Sequence, residues 1–265
     1  MDGLKDTAVV PGNAAVSNPP VLECAARTDI GLVRERNEDA VWVDPGRGWL
    51  LLADGMGGYR SGDLASALAV SYALNRLRRD AEKSVDGKNG DRAGLLAASI
   101  ADANAAIRSA VAQSLGNDMM GSTFVGALLR PDEVVYAHVG DSRLYLLRAG
   151  ALTQLSRDHT MVQEFVDAGR LSSSMAQNHP YRGLLTRGLG IEDDVEPDTG
   201  TRALEAEDRL LLCSDGLTDM VDEAEIAVLL GARAPAAEVA ASLVDAARAG
   251  GGRDNISVIV AWFVA

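Results

Sequence analysis

The chain has 265 residues, with 38 acidic against 25 basic side chains and a formal net charge of −13, a balance that argues against nucleic acid or an anionic membrane as its main partner because both require clustered Lys and Arg. Hydrophobic residues make up 47% and aromatic ones only 4%, so the composition is globular and Ala, Leu and Val must fill the interior. The length suits one large domain; no stretch approaches a transmembrane helix, the start has no basic segment followed by an apolar one, and Cys24 and Cys213 lie in apolar runs as buried free thiols, which together predict a soluble, cytoplasmic protein.

Residues 1–20 mix Asp, Gly, Asn, Ser and Pro without periodicity, the composition of a mobile tail, and the folded domain is expected over 21–265. Strands are predicted at 22–28, 39–44 and 49–53, the last being Trp49-Leu50-Leu51-Leu52-Ala53, a run apolar on both faces. Asp54 is expected to cap this central strand. A helix is predicted over 62–80 with Leu64, Leu68, Tyr72, Leu74 and Leu77 at core spacing. A second, over 93–115, carries Leu96, Ile100, Ile107, Val111 and Leu115 on one side, with Gly116-Asn117 as its stop. The polar stretch between them, Asp86-Gly87-Lys88-Asn89-Gly90-Asp91, lacks the alternating ligands and closing Glu of a calcium loop and reads as an exposed connection.

Another strand is expected within 121–129, and 134–139 and 143–147 are expected to pair as an antiparallel hairpin through Gly140-Asp141-Ser142. Residues 156–190 hold a short helix at 161–168 in an irregular Ser- and Asn-rich passage, long enough to be a functional surface segment. Leu210 to Cys213 reads as a buried strand. Asp222, with Glu225 three residues on, caps a helix, Pro235 sits in the first turn of another that reaches Ala249, and Asn255 to Val264 closes the chain as a strand. Strands and helices are segregated rather than strictly alternating, which predicts an α+β fold.

Four Asp-centred turns adjoin these apolar runs: Ala53-Asp54-Gly55, Gly140-Asp141-Ser142, Ser214-Asp215-Gly216 and Arg253-Asp254-Asn255. Singly, each is a common turn sequence. Converging, they would form an oxygen-rich cage for a hard divalent cation. Gly55-Met56-Gly57-Gly58 lacks the ending of a P-loop and the spacing of a dinucleotide fingerprint, which sets nucleotide binding aside. His138, His159 and His179 are too scattered to form a zinc cluster; His159, at the root of the 156–190 segment, either orients that segment or is a surface histidine, the second being favoured, and Ser122 and Thr123 read as packing residues on a strand.

The ordered set Arg34-Glu35-Arg36-Asn37-Glu38-Asp39, Ala53-Asp54-Gly55-Met56-Gly57-Gly58, Gly121-Ser122-Thr123, Val139-Gly140-Asp141-Ser142-Arg143, Cys213-Ser214-Asp215-Gly216 and Gly252-Arg253-Asp254-Asn255 resembles the metal-dependent PP2C (PPM) protein serine/threonine phosphatases of bacterial type, from about Thr28 to the C-terminus. The resemblance implies an α-β-β-α sandwich of two antiparallel sheets flanked by helices, with a dinuclear Mn²⁺ or Mg²⁺ site at one end. It implies hydrolysis of phosphoserine or phosphothreonine by a metal-bridged hydroxide without a covalent phosphoenzyme, two close cations supplying both the nucleophile and the charge neutralisation. Phosphorylated proteins, among them a Ser/Thr kinase and its targets, are the implied partners of a monomer. The alternatives on the same fold are a noncatalytic phosphoprotein-binding module, which predicts lost ligands, and a regulatory phosphatase dedicated to one partner.

By the same resemblance, Asp54 would bridge the two metals, the Gly55 carbonyl would complete one site, and Asp215 with Asp254 the other. Glu38 and Asp39 would hold metal-bound waters, Asp141 would share a third, looser metal with Asp215, and Arg34 would grip the substrate phosphate with its two-donor fork. Arg36 is a weaker candidate for that role. Ser156 to Arg187 falls where bacterial relatives carry a mobile flap, placing the flap at about 156–190. Met56 stands where many eukaryotic relatives have a histidine proposed as general acid, so protonation of the leaving oxygen has no assigned side chain.

Overall fold

Strand β3 (Trp49–Gly57) shows how the chain is layered. Leu50 and Leu52 point into one apolar cluster while Trp49, Leu51 and Ala53 point into another, because successive strand residues face opposite sides and both sides here are covered. The computed structural model describes residues 21–57, 61–83, 90–113, 120–176 and 179–264. The predicted tail, residues 86–89 of the predicted 86–91 connection, Leu115 and the Gly116-Asn117 stop lie outside the described residues.

Two sheets form the centre. One has the order β1 (Val21–Asp29), β11 (Ile256–Val264), β10 (Arg209–Cys213), β7 (Arg143–Arg148), β8 (Ala151–Gln154). The other runs β2 (Asp39–Asp44), β3, β5 (Phe124–Arg130), β6 (Glu133–Val139), β9 (Asp198–Ala203), with the short β4 (Met120–Ser122) on the end of β3. The pairings between them are antiparallel throughout the described residues. Leu50, Leu52, Val125, Leu144, Leu210, Leu212 and Ile259 fill the space between the sheets. Helices α1 (Gly62–Lys83) and α2 (Arg92–Gln113) cover the outer face of the second sheet, and α5 (Asp215–Thr218), α6 (Glu223–Leu230) and α7 (Ala236–Ala249) cover that of the first. This is the α-β-β-α sandwich that the sequence led us to expect. Helices α3 (Met161–Asp167) and α4 (Ser173–Ala176) lie in the long segment between β8 and β9.

Three sequence expectations about the course of the chain and its core are corrected, and a fourth concerns α2. β6 and β7 do not pair as a hairpin: β6 bonds to β5 and β9 in one sheet and β7 to β10 and β8 in the other, so Gly140-Asp141-Ser142 carries the chain from sheet to sheet. A three-residue link looks the same in either case, and only the partners' registers distinguish them. Asp54 does not cap β3, which continues to Gly57 by pairing Gly55–Gly57 with β4. Finally, the core face of α1 is Ala65, Ala69, Ala73 and Leu77 with Val70 and Leu74, whereas Leu64 and Tyr72 are 47% and 41% exposed. Alanines at helical spacing carry little hydrophobic signal but let a helix approach a sheet closely. α2, at 22 residues, is also long and apolar enough to cross a bilayer by length and composition, contrary to the expectation that no segment is; its Leu96, Ile100, Ala103 and Ile107 are packed in the core.

The alanine face gives an opposing pair of mutations. Ala69→Leu should destabilise the protein by about 1–3 kcal/mol through overpacking, while Tyr72→Ala should stay within about 0.5 kcal/mol of the parent, both read from urea denaturation midpoints.

Candidate active site

The ends of β1, β3, β6 and β10 and the starts of β2, β7 and β11 meet at one end of the sandwich, and the antiparallel pairing puts them there together. Asp39 at the start of β2 lies directly across from Asp54 on β3. Asp215 opens α5 immediately after β10, Asp254 precedes β11, and Asp141 lies in the crossing between the sheets. These residues surround a cleft of about 380 Å³ that Arg34, Glu38, Asp54, Asp141, Asp215 and Asp254 line together. Residues spread over 220 positions of chain are thus brought to one concave surface, and of the sequence-predicted site residues only Asp39 and the weaker candidate Arg36 are not part of the cleft lining. Gly55 lines the cleft as well; a Cβ there would fall 2.0 Å from the Gly62 carbonyl oxygen, so only glycine lets β3 pass the start of α1.

Backbone hydrogen bonds fix the carboxylates. The Asp54 N–H donates to Thr123 Oγ1 at 3.0 Å, its carbonyl accepts from Ser122 Oγ at 2.9 Å and from the Thr123 N–H at 2.8 Å, and Thr123 Oγ1 lies 2.7 Å from Ser142 Oγ. Ser122 and Thr123 therefore do more than pack. Asp39 Oδ2 accepts from Ser214 Oγ at 3.0 Å. Asn255, which sequence reasoning passed over, accepts the Glu38 N–H on Oδ1 at 2.8 Å and donates from Nδ2 to the carbonyls of Ile30 and Arg36 at 3.0 and 2.8 Å, tying the Arg34–Glu38 loop to the start of β11. Only its position beside Asp254 could have drawn attention to it, since an uncharged amide carries no motif signal by itself.

The electrostatics are those of crowded, desolvated acids. Burial raises the Asp54 and Asp215 carboxyls well above the ordinary range, and the neighbouring aspartates push both further. Burial also lifts Asp39 to about 6 and Asp141 to about 7, the latter with help from Asp158. Asp39 Oδ1 and Asp215 Oδ1 are buried without a hydrogen-bond partner, atoms that cost free energy unless a cation or proton meets them. Arg34 Nη2 donates to Asp254 Oδ2 at 2.5 Å. Arg143, next in the chain to Ser142, is held on both oxygens of Asp158, and its charge only partly offsets the burial that raises Asp141. Oxygen donors of this kind, with two of them orphaned, fit a hard divalent cation.

Arg182 and Asp219, neither singled out from sequence, also line the cleft and pair with each other across its mouth. Arg182 belongs to the 156–190 segment, which the structure therefore places beside the site. Arg36 contributes only its carbonyl, to Asn255. His159 is 2% exposed rather than a surface residue, and its ring stacks on His138 at 4.8 Å with Asp198 close by, so two of the three scattered histidines do come together. His179 stays apart, against Phe165 and Tyr181.

The family model for protein phosphatase 2C matches residues 33–248. The serine/threonine protein phosphatase PstP of Mycobacterium tuberculosis is 43% identical over 242 residues, 91% of this chain and 45% of the mycobacterial protein, so the chain spans less than half of that relative. The serine/threonine phosphatase stp of Listeria innocua is 39% identical over 88% of this chain and 93% of its own length. Among solved structures, the catalytic domain of PstP in complex with two manganese ions is 40% identical, covers 93% of this chain and is itself covered completely, with a TM-score of 0.81.

Raised acid pKa values mean that the native state binds more protons than the unfolded one between about pH 4 and pH 7. Stability of the metal-free protein should therefore fall as pH rises through that window. Thermal melts in chelator should show a lower Tm at pH 8 than at pH 5, and Asp54→Asn should raise the chelated Tm at pH 8 by about 2–4 °C instead of lowering it.

Proposed function

This chain belongs to the protein phosphatase 2C family, and from that premise we propose that residues 21–265 form a metal-dependent protein serine/threonine phosphatase domain. The observation that carries the reading is the set of converging aspartates with orphaned buried oxygens beside an arginine fork. Asp54, the Gly55 carbonyl, Asp215 and Asp254 would hold two Mn²⁺ or Mg²⁺ ions, and Asp39 and Glu38 would hold their waters. Asp141, whose charge acts on Asp215, would share a third, looser ion with it. When bound, such ions lower the pKa of an attacking water and neutralise the phosphoryl oxygens.

The chain's own groups do the rest. Arg34 offers the phosphate one edge of its guanidinium while Nη2 stays on Asp254, so the phosphate is aligned relative to a fixed carboxylate. The Ser122 and Thr123 hydrogen bonds keep Asp54 in place as charge redistributes during in-line displacement. Arg182, held on Asp219 in the mouth of the cleft, adds a second cation that an incoming phosphoprotein meets. Met56 lines the cleft where a general acid would sit and carries no proton, so the leaving alkoxide takes its proton from solvent-derived water. The acidic surface suits phosphoprotein substrates presented by basic segments, a Ser/Thr kinase and its targets among them, met by a monomer in the cytoplasm.

Against a phosphothreonine peptide the full chain should show Mn²⁺-dependent turnover abolished by chelator. Asp54→Ala and Asp215→Ala should each lose on the order of a thousandfold, the several kcal/mol that charge stabilisation by the ions contributes. Arg34→Lys should raise KM without restoring the parent's kcat/KM, because an ammonium cannot reproduce the fork. Parent protein with no metal-dependent turnover would sink the reading.

A further inference from the structure

His159 is bound to Gly140 at two points. Its backbone N–H donates to the Gly140 carbonyl at 3.0 Å, and its Nδ1 accepts the Gly140 N–H at 3.2 Å. Gly140 has φ +96°, and a Cβ there would meet Thr123 Cγ2 at 2.7 Å, so the position requires glycine, the residue with the greatest backbone freedom. Asp141 follows it in the link between the sheets. The other flank of Asp141 is fixed by Ser142 on Thr123, and Thr123 in turn holds Asp54. Without the imidazole the Gly140 N–H would have no partner among these contacts, while the backbone bond to its carbonyl would remain with any residue at 159.

The His159 ring is set by what surrounds it. His138, on β6, stacks on it with the rings 20° from parallel, and His138 Nε2 lies 2.8 Å from the Arg157 carbonyl. His159 Nε2 faces Asp198 Oδ2 at 3.4 Å, and Asp198 Oδ1 accepts from Arg187 at 2.8 Å. The His159 carbonyl accepts the Thr186 N–H at 2.8 Å, so both ends of the segment beside the cleft are joined at this residue. Burial lowers the basicity of both imidazoles, His159 to about 4, which keeps them neutral. One nitrogen of each histidine and an Asp198 oxygen lie within 4.8 Å of one another, the spacing of a three-ligand cation site. The Gly140 N–H argues against that use: an acceptor Nδ1 leaves the proton on Nε2, which then points a donor rather than a lone pair at Asp198.

We propose that His159 is a positioning residue that clamps both backbone groups of Gly140 and thereby fixes the Asp141 carboxylate in the cleft, coupling that carboxylate to the root of the 156–190 segment. The consequence for catalysis rests on the phosphatase reading; the clamp itself does not.

Three substitutions separate the clamp from simple filling of space. His159→Asn keeps an acceptor at the Nδ1 position, whereas His159→Gln places its amide near Nε2 and leaves the Gly140 N–H unmet; His159→Ala removes both. In the full chain, the Gly140 amide should exchange slowly with solvent in the parent and in His159→Asn, and at least about tenfold faster in His159→Gln and His159→Ala. With a phosphothreonine peptide and Mn²⁺, the Gln and Ala variants should lose about 10–100-fold in kcat at little-changed KM and need more Mn²⁺ for half-maximal activity, with Asn close to the parent. Equal exchange in Asn and Gln, or parent-like exchange in Ala, overturns the proposal. So does a stoichiometric Zn²⁺-induced shift of the His159 Nε2 resonance, which would make the cluster a cation site. An inactive parent with the exchange pattern intact counts against the phosphatase reading and leaves the clamp standing.

Discussion

Like-charge repulsion in a desolvated cleft is the constraint on which the arrangement at the end of the sandwich depends. Burial raises all four of Asp39, Asp54, Asp141 and Asp215, Asp39 and Asp141 push protons onto both Asp54 and Asp215, and Asp215 onto Asp54, while two oxygens of the set have no partner at all. Left to relax, such a set would splay into solvent. It is held because each member is attached to a different rigid element: Asp39 and Asp54 are opposite one another on paired strands, Asp215 starts a helix at the end of a central strand, and Asp141 is fixed between two sheets. The three aliphatic layers hold the strands, and the strands impose the repulsion. Protons relieve it at low pH and cations relieve it at neutral pH, so the same geometry that costs stability in the metal-free protein creates affinity for hard cations.

A polar frame behind the carboxylates turns this into a defined site. Asn255 joins the Arg34 loop to β11, Ser214 joins Asp39 to β10, and Thr123 joins Asp54 to Ser142. Each of these uncharged side chains satisfies backbone or carboxylate atoms and leaves the cleft-facing oxygens open. That division lets the acids face a ligand without being fully neutralised by the protein itself; Arg143, forked on Asp158, offsets the raised Asp141 carboxyl only in part.

Much of this was legible in the sequence because the informative signals were local. Trp49 to Ala53 announced a strand buried on both sides, Asp222 with Glu225 announced a helix cap that the structure shows as Asp222 accepting the Glu225 N–H, and the ordered Asp motifs announced the site. What stayed hidden depends on partners distant in sequence. Whether Gly140-Asp141-Ser142 turns a hairpin or crosses between sheets is decided by β9, β10 and β5. β8 and β9 are short and largely exposed, so their alternation is too weak to mark them. The α1 core face is written in alanine. His159 looked like a surface residue beside Asp158, and only the fold shows that Gly140, His138 and Asp198 enclose it.

The central claim is that the carboxylate cleft is a two-cation site, and anomalous diffraction from crystals grown with Mn²⁺ tests it most directly. The account predicts two strong manganese peaks about 3.5–4 Å apart with Asp54 between them and Asp215 and Asp254 on one of them, and a weaker third beside Asp141. Manganese found at His138, His159 and Asp198 with none in the cleft, or a cleft that takes up no manganese at saturating concentration, would contradict it.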